Sequence, residues 1–513
     1  MKHKGEKSLF SLLIKLLLIL VLIIIQILVF VFLFNATKAF SLIASSVFAL
    51  IESILILYIV YKPINPAYKI IWIILILSVP VLGCVLYFFT GIVRIPKKLR
   101  KIMEDIFEKT GRYIKADDGV YNKVKKESLT AYKQANYLLN TSSYPLYEND
   151  DIEYLSLGEF YYERMLDDIK RAKRYIFIEY FIVSKGKMWD ELLEVLLKKA
   201  KEGVKIYIST DQFGSFFKLP KEFKNLNKIK NIYINIFNPI TPVISAHLNY
   251  RDHRKITVVD GVVAYTGGIN IGDEYINLDN KLGHWKDFGV RLTGRAVNSF
   301  VVMFIRLWNC GKNKIIINDW WFSDKKINSN GKGYVLPYAD GPHNNHNPAE
   351  NTYMNIIQAA KDYVYITTPY LIIDNEVKQS LINAAKSGVD VRIVIPHIPD
   401  KKLVYACSRS FYNQLLLAGV KIYEYTPGFM HGKMCISDDR VATVGSVNFD
   451  FRSLYLHYEC GVWMYNIGAI NDMKEDFLKV VSVSEKISLE KWGKRSILKK
   501  MLEAALRLIA PLL

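Results

Sequence analysis

Two segments of the chain repeat one pattern of residue types that suits chemistry at a phosphate group. In each segment a histidine is followed by a lysine and an aspartate, and a glycine and an asparagine recur further on, in the pattern H-x-K-x4-D-x6-G-x-x-N. With nine histidines in the chain, one H-x-K-x4-D would arise by chance in about one such sequence in twenty, so a single copy is a weak motif. Two copies with the same downstream residues leave little room for chance. The candidate catalytic residues are therefore His253, Lys255, Asp260, His431, Lys433 and Asp438.

The residue types in this pattern are those that phosphoryl transfer needs. Neutral histidine, with an unperturbed pKa of about 6.5, can act as a nucleophile or as a general acid and base. Lysine presents a positive charge to phosphate oxygens, and the amides of Asn270 and Asn448 add hydrogen-bond donors. If the two copies converge, one histidine can attack phosphorus while the other protonates the leaving oxygen. The asparagines are therefore candidate phosphate-binding residues.

Strand geometry predicts how the motif residues share a face. Because alternate residues of a strand face the same side, His253 and Lys255 would point at one ligand, as would His431 and Lys433. Asp260 has the opposite parity and begins an Asp-Gly pair that is typical of a hairpin turn. We therefore expect the two motif aspartates to hold turns and not to touch substrate.

A histidine nucleophile also needs an acceptor for its second ring nitrogen. Asp287 and Glu459 stand at similar distances after the two motif asparagines and are the candidate histidine-orienting residues. Spacing alone leaves a surface charge or a structural ion pair equally open for both. His284 and His457, close by in the sequence, are treated as accessory.

The sequence carries no sign of a metal site or a nucleotide-binding loop. Its five cysteines are scattered without a C-x-x-C pair, and no Walker-type glycine-rich loop is present. We therefore expect a reaction without a metal or another cofactor.

The elements that must position the motifs are duplicated as well. A strand-like segment at 175–183, a helix-like segment, a glycine and a second strand pattern at 204–210 recur in the same order, with the strand patterns at 363–373 and 389–395. Alternating strands and helices predict an α/β fold. We expect two duplicated halves, each a mixed β-sheet flanked by helices.

Composition narrows the class of protein. In 513 residues, 51% are hydrophobic and 23% are charged, which excludes a disordered chain, and five cysteines are too few for a disulfide scaffold. The formal net charge is +19, from 68 Lys+Arg against 49 Asp+Glu. This charge predicts an anionic partner, but it does not choose among nucleic acid, a membrane surface and a phosphate-bearing substrate.

The apolar residues are concentrated near the N-terminus. Runs at 16–34, 39–61 and 70–93 are each long enough to cross a hydrocarbon core of about 30 Å. A cleaved signal peptide is the alternative for the first run, but no cleavage pattern closes it. Basic residues near the ends of the runs number five on one side and six on the other, so two and three spans both stay open. A dense basic cluster after the third run favours a cytoplasmic catalytic part.

These observations divide the chain into five parts. They are a transmembrane helical region at 1–95, a basic juxtamembrane linker at 96–145, a first half at 146–325, a second half at 326–484 and a C-terminal amphipathic helix at 485–513. The last part fits either an anionic lipid surface or an ordinary docking helix over a core.

At the duplicated motifs the sequence resembles the phospholipase D superfamily and, within it, the bacterial cardiolipin synthases. The similarity covers nearly the whole chain. It is carried by NYRDHRK at 249–255, TGGINIGDEY at 266–275, TTPYLIIDNE at 367–376 and GFMHGKMCISDDRVATVGSVNFDFRSLYLHYE at 428–459, with a membrane-type segment at 72–91 and the C-terminal ALRLIAPLL at 505–513.

The resemblance implies that two phosphatidylglycerol molecules give cardiolipin and glycerol at a bacterial plasma membrane, in a multi-pass protein without a cofactor. His253 would become a phosphatidyl-histidine, and His431 would protonate the departing glycerol. Ser446 would assist at the phosphate, although Gly268 stands at the same place in the first copy. The implied partners are phosphatidylglycerol, other anionic phospholipids and the bilayer, and no nucleic acid. The repeat itself does not distinguish the roles of the two histidines.

Other functions stay open at this point. Another phospholipase D-type transferase or phospholipase would use different head groups. A nuclease of the same superfamily fits the basic charge, but the apolar segments fit it poorly. A membrane-anchored scaffold with vestigial motifs is opposed by the intact motif positions.

Overall fold

The structure is a computed structural model that describes 38–91, 97–148, 150–239, 249–311, 313–323 and 332–512, with scattered positions between 17 and 31. It divides into two compact units. One comprises Met1–Ile95, Asn238–Tyr250 and Leu508–Leu513, and the other comprises Pro96–Phe237 and Arg251–Arg507. Both copies of the repeated motif lie in the second unit.

The first unit is helical where it is described. Its helices are α1 (Lys38–Tyr61), α2 (Pro66–Ser78) and α3 (Pro80–Leu86), and a π-helix follows at Tyr87–Gly91. Within α1, Leu42–Tyr61 is the one stretch among the described residues that is helical, long and apolar enough to cross a membrane. It coincides with the second candidate span, and only 6% of its most apolar window is buried.

The third candidate span, expected over 70–93, is not one continuous helix. Pro80 lacks an N–H and begins a new helix after Val79, so the run is divided into helices of 13 and 7 residues and the π-helix. Each helix is shorter than the roughly 20 residues that a straight crossing needs. A third full span is therefore not supported by the described helices.

Only part of the first candidate span, 16–34, is among the described residues. Its one polar side chain is described: the Gln26 Oε1 atom accepts the N–H of Val81 at 2.9 Å. Val81 lies in the first turn of α3, where a helix leaves N–H groups without a partner. The first apolar run therefore contacts the third within this unit.

The segment expected as a linker, 96–145, is mostly helical. It contains α4 (Lys97–Gly111), α5 (Asp118–Glu127) and α6 (Leu129–Ser142). Apolar side chains such as Val124, Ala135 and Leu138 are buried. Burial of such residues is typical of a packed domain, so this segment is part of the second unit.

A seven-stranded mixed sheet forms the first half of the second unit. The first nine strands of the chain are β1 (Tyr147–Glu148), β2 (Asp151–Leu155), β3 (Tyr175–Tyr180), β4 (Lys205–Asp211), β5 (Ile232–Phe237), β6 (Lys255–Val259), β7 (Val263–Gly267), β8 (His284–Lys286) and β9 (Gly289–Thr293). The sheet has the order β2-β9-β7-β6-β3-β4-β5. The helices of this half are α7 (Gly158–Lys170), α8 (Lys187–Lys201) and α9 (Val297–Trp308).

A nine-stranded sheet forms the second half. The strands that follow are β10 (Tyr334–Asp340), β11 (Tyr363–Thr367), β12 (Leu371–Ile372), β13 (Asp390–Pro396), β14 (Lys421–Tyr425), β15 (Gly428–Met430), β16 (Met434–Ser437), β17 (Val441–Gly445), β18 (Phe449–Asp450), β19 (Glu459–Tyr465) and β20 (Ser484–Lys486). The sheet has the order β1-β10-β19-β17-β16-β11-β13-β14-β20. The remaining helices are α10 (Pro348–Ala359), α11 (Asn375–Lys386), α12 (Lys402–Ser410), α13 (Tyr412–Ala418), α14 (Phe451–Tyr455), α15 (Ala469–Ser482), α16 (Leu489–Gly493) and α17 (Ile497–Ile509).

The strand orders confirm the duplicated α/β fold. The order of the first sheet recurs in the second as β10-β19-β17-β16-β11-β13-β14, to which β1 and β20 add one strand at each end. In both sheets the strand before the motif pairs antiparallel with the motif strand, β3 with β6 and β11 with β16. Residues 147–148 were expected in the first half, which was predicted to begin at 146. They form β1, which belongs to the sheet of the second half.

Candidate active site

Each motif histidine stands just before a central strand of its own sheet. His253 precedes β6, and His431 precedes β16. The His253 N–H donates to the Tyr458 carbonyl at 2.9 Å, and the His431 N–H donates to the Lys286 carbonyl at 2.8 Å. The spacing suggested that both histidines are strand residues, but each lies just before its strand. Each is held by a main-chain carbonyl of the other half.

Short parallel pairings between the halves set these contacts. Strand β8 of the first half pairs with β15 of the second half. The residues that follow these strands, Asp287 and His431, are therefore neighbours. An isolated parallel bridge pairs Asp252 with Tyr458. The residues that follow them, His253 and Glu459, are therefore neighbours as well.

Each motif histidine contacts the carboxylate of the other half. His253 Nδ1 lies 2.8 Å from Glu459 Oε1, and His431 Nδ1 lies 2.5 Å from Asp287 Oδ2. Both carboxylates are fully buried. A carboxylate that accepts Nδ1–H leaves Nε2 with the lone pair, which is the atom that can attack or exchange a proton.

Both motif lysines are fully buried beside their histidines. Lys255 Nζ donates to the His253 carbonyl, and Lys433 Nζ lies 3.1 Å from His431 Nε2. Burial lowers the pKa of Lys255 to about 8 and that of Lys433 to about 7, because an ammonium loses hydration in the interior. An anion entering the site would raise both pKa values and so favour the charged form of both groups.

The two imidazoles share one electrostatic environment. Burial, together with the charges of Lys255 and Lys433, lowers the pKa of His253 well below its usual range, and the charge of His431 adds to this effect. Burial and Lys433 lower the pKa of His431 to about 4. Both histidines are therefore neutral in the ligand-free site, and the two motif copies face each other.

The site shifts the pKa values of the two carboxylates in opposite directions. Burial raises the pKa of Glu459 to about 7. Burial would also raise the pKa of Asp287, but His431 and Lys433 outweigh it and hold that pKa below its usual value. Asp287 is therefore the better stabiliser of an imidazolium ion.

Two of the three predicted phosphate-binding residues form hydrogen bonds within the protein. Asn270 Oδ1 accepts the N–H of Ile182 at 3.1 Å, and Asn270 Nδ2 donates to the Tyr275 hydroxyl at 2.8 Å. Ser446 donates to Glu459. Asn448 differs, because its Oδ1 is buried with no hydrogen-bond partner.

The motif aspartates lie in the turns after β6 and β16. Asp260 accepts the N–H groups of 173–175 at 2.7–2.9 Å, and Asp438 accepts those of 361–363 at 2.8–3.0 Å. Both have a positive φ, +55° and +54°, which aspartate tolerates better than most residues. Their carboxylates therefore hold the start of the neighbouring strand, as expected for turn residues.

The chain matches a family model described as "Cardiolipin synthase, PLD-like domain" over residues 165–287 and 353–481, and one described as "Phospholipase_D-nuclease N-terminal" over 53–91. A cardiolipin synthase of Alkalihalophilus pseudofirmus is 31% identical over 473 residues, covering 91% of this chain and 93% of the relative. The chain belongs to the cardiolipin synthase family. An uncharacterized protein of Streptococcus mutans is 39% identical, covering 89% of this chain and 99% of that protein.

The fold is also that of a solved structure, the phosphatidylserine synthase of Haemophilus influenzae. It superposes with a TM-score of 0.56 at 16% identity and covers 74% of this chain and 99% of the other. The two segments that match the cardiolipin synthase domain contain one motif histidine each. The family's domain therefore occurs twice in this chain, as the duplicated motifs predicted.

The two domain copies of this cardiolipin synthase family member differ at one position beside the histidines. Trp285 and His457 each stand two residues before a histidine-holding carboxylate. The Trp285 ring lies 5.2 Å from the His431 ring, and the His457 ring lies 5.6 Å from the His253 ring. His457, expected only as an accessory histidine, therefore lies beside His253. Alignment of the two copies on their carboxylates is the sequence signal that identifies it.

One group of three potential metal ligands occurs among the described residues, and it coincides with this site. Ligand atoms of His253, His457 and Glu459 all lie within 4.8 Å of one another. The other accessory histidine, His284, lies apart from this group and contacts the Tyr425 hydroxyl at 3.0 Å. A metal ion bound by these three residues would therefore compete with the contact between Glu459 and His253.

Proposed function

We propose that this protein is a membrane-bound phosphatidyltransferase that converts two phosphatidylglycerol molecules into cardiolipin and glycerol. The observation that carries the proposal is the pair of histidines, each held at Nδ1 by a carboxylate and each beside a buried lysine. Such a pair can supply a nucleophile on one side of phosphorus and a proton donor on the other. Family membership and the apolar helix α1 favour a lipid over a nucleic acid.

In the first half-reaction, His253 Nε2 attacks the phosphorus of one phosphatidylglycerol. His431 takes up a proton at Nε2 when the anionic phosphate binds, and the bond from phosphorus to the head-group glycerol breaks as His431 gives that proton to the leaving oxygen. Lys255, Lys433 and the Asn448 amide stabilise the phosphate oxygens, and Asn270 shapes the site through Tyr275. Ser446 keeps Glu459 on His253.

In the second half-reaction, the terminal hydroxyl of another phosphatidylglycerol enters. His431 takes its proton, the alkoxide oxygen forms a bond to phosphorus, and the bond from phosphorus to His253 breaks. Cardiolipin leaves and both histidines return to their starting state. Water in place of the lipid hydroxyl would give phosphatidic acid by the same steps.

The unequal carboxylates support this division of roles. Ionised Asp287 favours a positive charge on His431 when an anionic phosphate enters, as a general acid requires. Glu459, whose pKa burial raises, supports a positive charge on His253 less well and so favours a neutral nucleophile. The sequence repeat alone did not distinguish the two.

We further propose a multi-pass protein of the bacterial plasma membrane with its catalytic unit on the cytoplasmic side. Helix α1 and the separate apolar run at 16–34 support more than one crossing, and the basic residues after the third run support the cytoplasmic side. Helix α17 supports contact with an anionic surface, because Ile497, Leu498 and Met501 are more than half exposed beside Lys499 and Lys500.

Product analysis tests the proposal. The purified protein in phosphatidylglycerol vesicles should form cardiolipin and glycerol in equal amounts, and adding phosphatidylethanolamine should not be needed. His253→Ala and His431→Ala should each abolish net synthesis, while a matched change of the accessory histidine, His284→Ala, should retain it. Formation of phosphatidic acid as the main product, or near-normal synthesis by either active-site variant, would contradict the proposal.

The role assignment has its own test. Rapid quenching with radiolabelled phosphatidylglycerol should leave the phosphatidyl group on the peptide that contains His253. Label on the peptide that contains His431 would reverse the two roles but keep the reaction.

A further inference from the structure

A cavity of about 300 Å³ lies in the second unit, outside the paired-histidine site. Its walls come from α4, α9 and the loop after β10, and Arg254 and Tyr458 line its other side. This volume is at the lower end of the range of small-ligand pockets. The proposed lipid reaction assigns no role to it.

One wall of this cavity carries a buried cation with no countercharge. Arg306 on α9 is 94% buried, being 6% exposed, and forms no salt bridge with any described carboxylate. Its Nε donates to the Thr110 hydroxyl at 2.9 Å, and its guanidinium lies over the Phe107 ring at 3.9 Å. Its NH1 is buried without any hydrogen-bond partner.

The other arginine of the cavity, Arg254, has carboxylate partners within the protein. Arg254 pairs with Glu179 at 2.7 Å and with Asp252 at 3.2 Å, so two carboxylates balance its charge. A buried guanidinium without such partners is unfavourable, and ring contacts compensate it only in part. Arg306 therefore requires a negative charge that the described residues do not supply.

A second donor group lines the same cavity. His343 Nδ1 is buried without a hydrogen-bond partner, and its ring lies 6.4 Å from the Phe107 ring that stacks on Arg306. Asp340, also in the wall, uses its two oxygens to accept the N–H groups of Gly341 and Ala349. Its carboxylate is therefore engaged with the main chain. Arg306 NH1 is an unpaired donor, and His343 Nδ1 can donate in the tautomer that carries its proton there, because burial and the charges of Arg254 and Arg306 lower the pKa of His343 to about 4 and keep the ring neutral.

We propose that this cavity is a binding site for a phosphate-bearing anion, held by Arg306 and His343. Arginine matches a phosphate because its planar fork of N–H groups meets two oxygens at once. The phosphate can belong to a small soluble molecule or to a phospholipid head group. The site is separate from the catalytic histidines, although Arg254 and Tyr458 adjoin His253 and Glu459 in the sequence.

The test must separate this site from the catalytic one, which also binds phosphate. The full-length protein carrying Lys255→Met and Lys433→Met serves as the background, and its thermal midpoint is measured as inorganic phosphate is titrated at constant ionic strength. We expect phosphate to raise the midpoint, and Arg306→Gln to weaken apparent phosphate affinity at least about tenfold. Arg171→Gln, a change at an exposed arginine, is the matched control and should leave the response unchanged.

Three further arms identify the source of the phosphate. Glycerol 3-phosphate tests a soluble ester, and nanodiscs with phosphatidic acid are compared with phosphatidylcholine nanodiscs. An Arg306-dependent midpoint shift with phosphate or the ester supports a soluble ligand, and one seen only with phosphatidic acid supports a lipid head group. A shift that Arg306→Gln does not change, or no shift in any arm, would overturn the proposal.

The stability of the variant gives an independent reading. Without phosphate, Arg306→Gln should be at least as stable as the background protein, because it removes an uncompensated charge. If that variant fails to fold, equilibrium binding of radiolabelled phosphate to the background protein decides the question. One bound phosphate per chain then supports the site, and none refutes it.

Discussion

Glu459 holds the ring of His253 across 206 residues of sequence and from the opposite half of the repeat. Asp287 does the same for His431 across 144 residues. Neither half therefore contains a complete histidine and carboxylate pair. In the reaction we propose, the duplication therefore gives one active site and not two, because each half supplies the carboxylate for the histidine of the other.

The first prediction concerns this exchange. Glu459→Gln keeps the size of the side chain but loses the charged acceptor for His253 Nδ1–H. We expect a loss of about 10- to 100-fold in the rate of cardiolipin formation, measured as initial rate in phosphatidylglycerol vesicles. Glu475→Gln, at an exposed position of α15, is the matched control. An unchanged rate for Glu459→Gln in a folded protein would show that this contact is only structural.

The pH dependence of anion binding follows from the buried lysines. Their pKa values of about 8 for Lys255 and about 7 for Lys433 lie below the usual lysine value, so both groups lose their charge as pH rises through those values. Sulfate, which does not titrate in this range, should inhibit competitively and lose at least about tenfold in affinity between about pH 7 and pH 9.

The measurement is the inhibition constant of sulfate at constant ionic strength, because surface charges respond to salt. An inhibition constant that does not vary over this interval would mean that the lysines keep their charge throughout. The lowered pKa values would then not describe the free enzyme.

Metal ions provide a third prediction. The proposed reaction uses His253 and Glu459 directly, so synthesis should persist in excess EDTA. Added Zn²⁺ should inhibit, because His253, His457 and Glu459 offer three ligand atoms of the type zinc prefers. His457→Asn should weaken this inhibition by about tenfold or more, and His284→Asn should not. Loss of synthesis upon chelation would contradict the metal-free reaction.

Gly268 provides a fourth prediction, since it stands where the second copy has Ser446. A Cβ atom there would lie 2.1 Å from Asp287 Oδ1, which is shorter than the van der Waals distance between a carbon and an oxygen atom. Gly268→Ala should therefore displace the carboxylate from His431 and reduce the rate by about 100-fold, as a small misplacement in an active site can do.

The matched control is Gly468→Ala, where a Cβ would meet open space. Both variants should be compared by rate and by thermal midpoint. If Gly268→Ala retained the wild-type rate, Asp287 would have room to move without consequence, and its proposed role on His431 would fail.

Hydropathy predicted some of the helices of the first unit but not all of their bounds. Hydropathy correctly identified α1, because Leu42–Tyr61 is apolar enough on average to cross a membrane despite Glu52, and a helix is the way such a segment satisfies its own main-chain hydrogen bonds. It did not predict the break at Val79, although Pro80 was visible, because proline can either kink a helix or begin a new one. The linker expected at 96–145 is helical because its buried apolar residues have a packing partner that composition does not reveal.

The amino-acid sequence by itself determined the duplicated halves, and it predicted the chemistry from two histidines and two lysines that recur at fixed spacings. Local pattern suffices there, because a repeat constrains both copies to one fold. The sequence offered Asp287 and Glu459 as candidates, but their spacing did not separate a site role from a surface charge. Only the tertiary structure decided which carboxylate meets which histidine, since the contact depends on the pairing of β8 with β15 and on the bridge between Asp252 and Tyr458. It also decided that Asp287 and Glu459 differ in pKa, because burial and neighbouring charges are properties of the folded chain and not of the spacing of its residues.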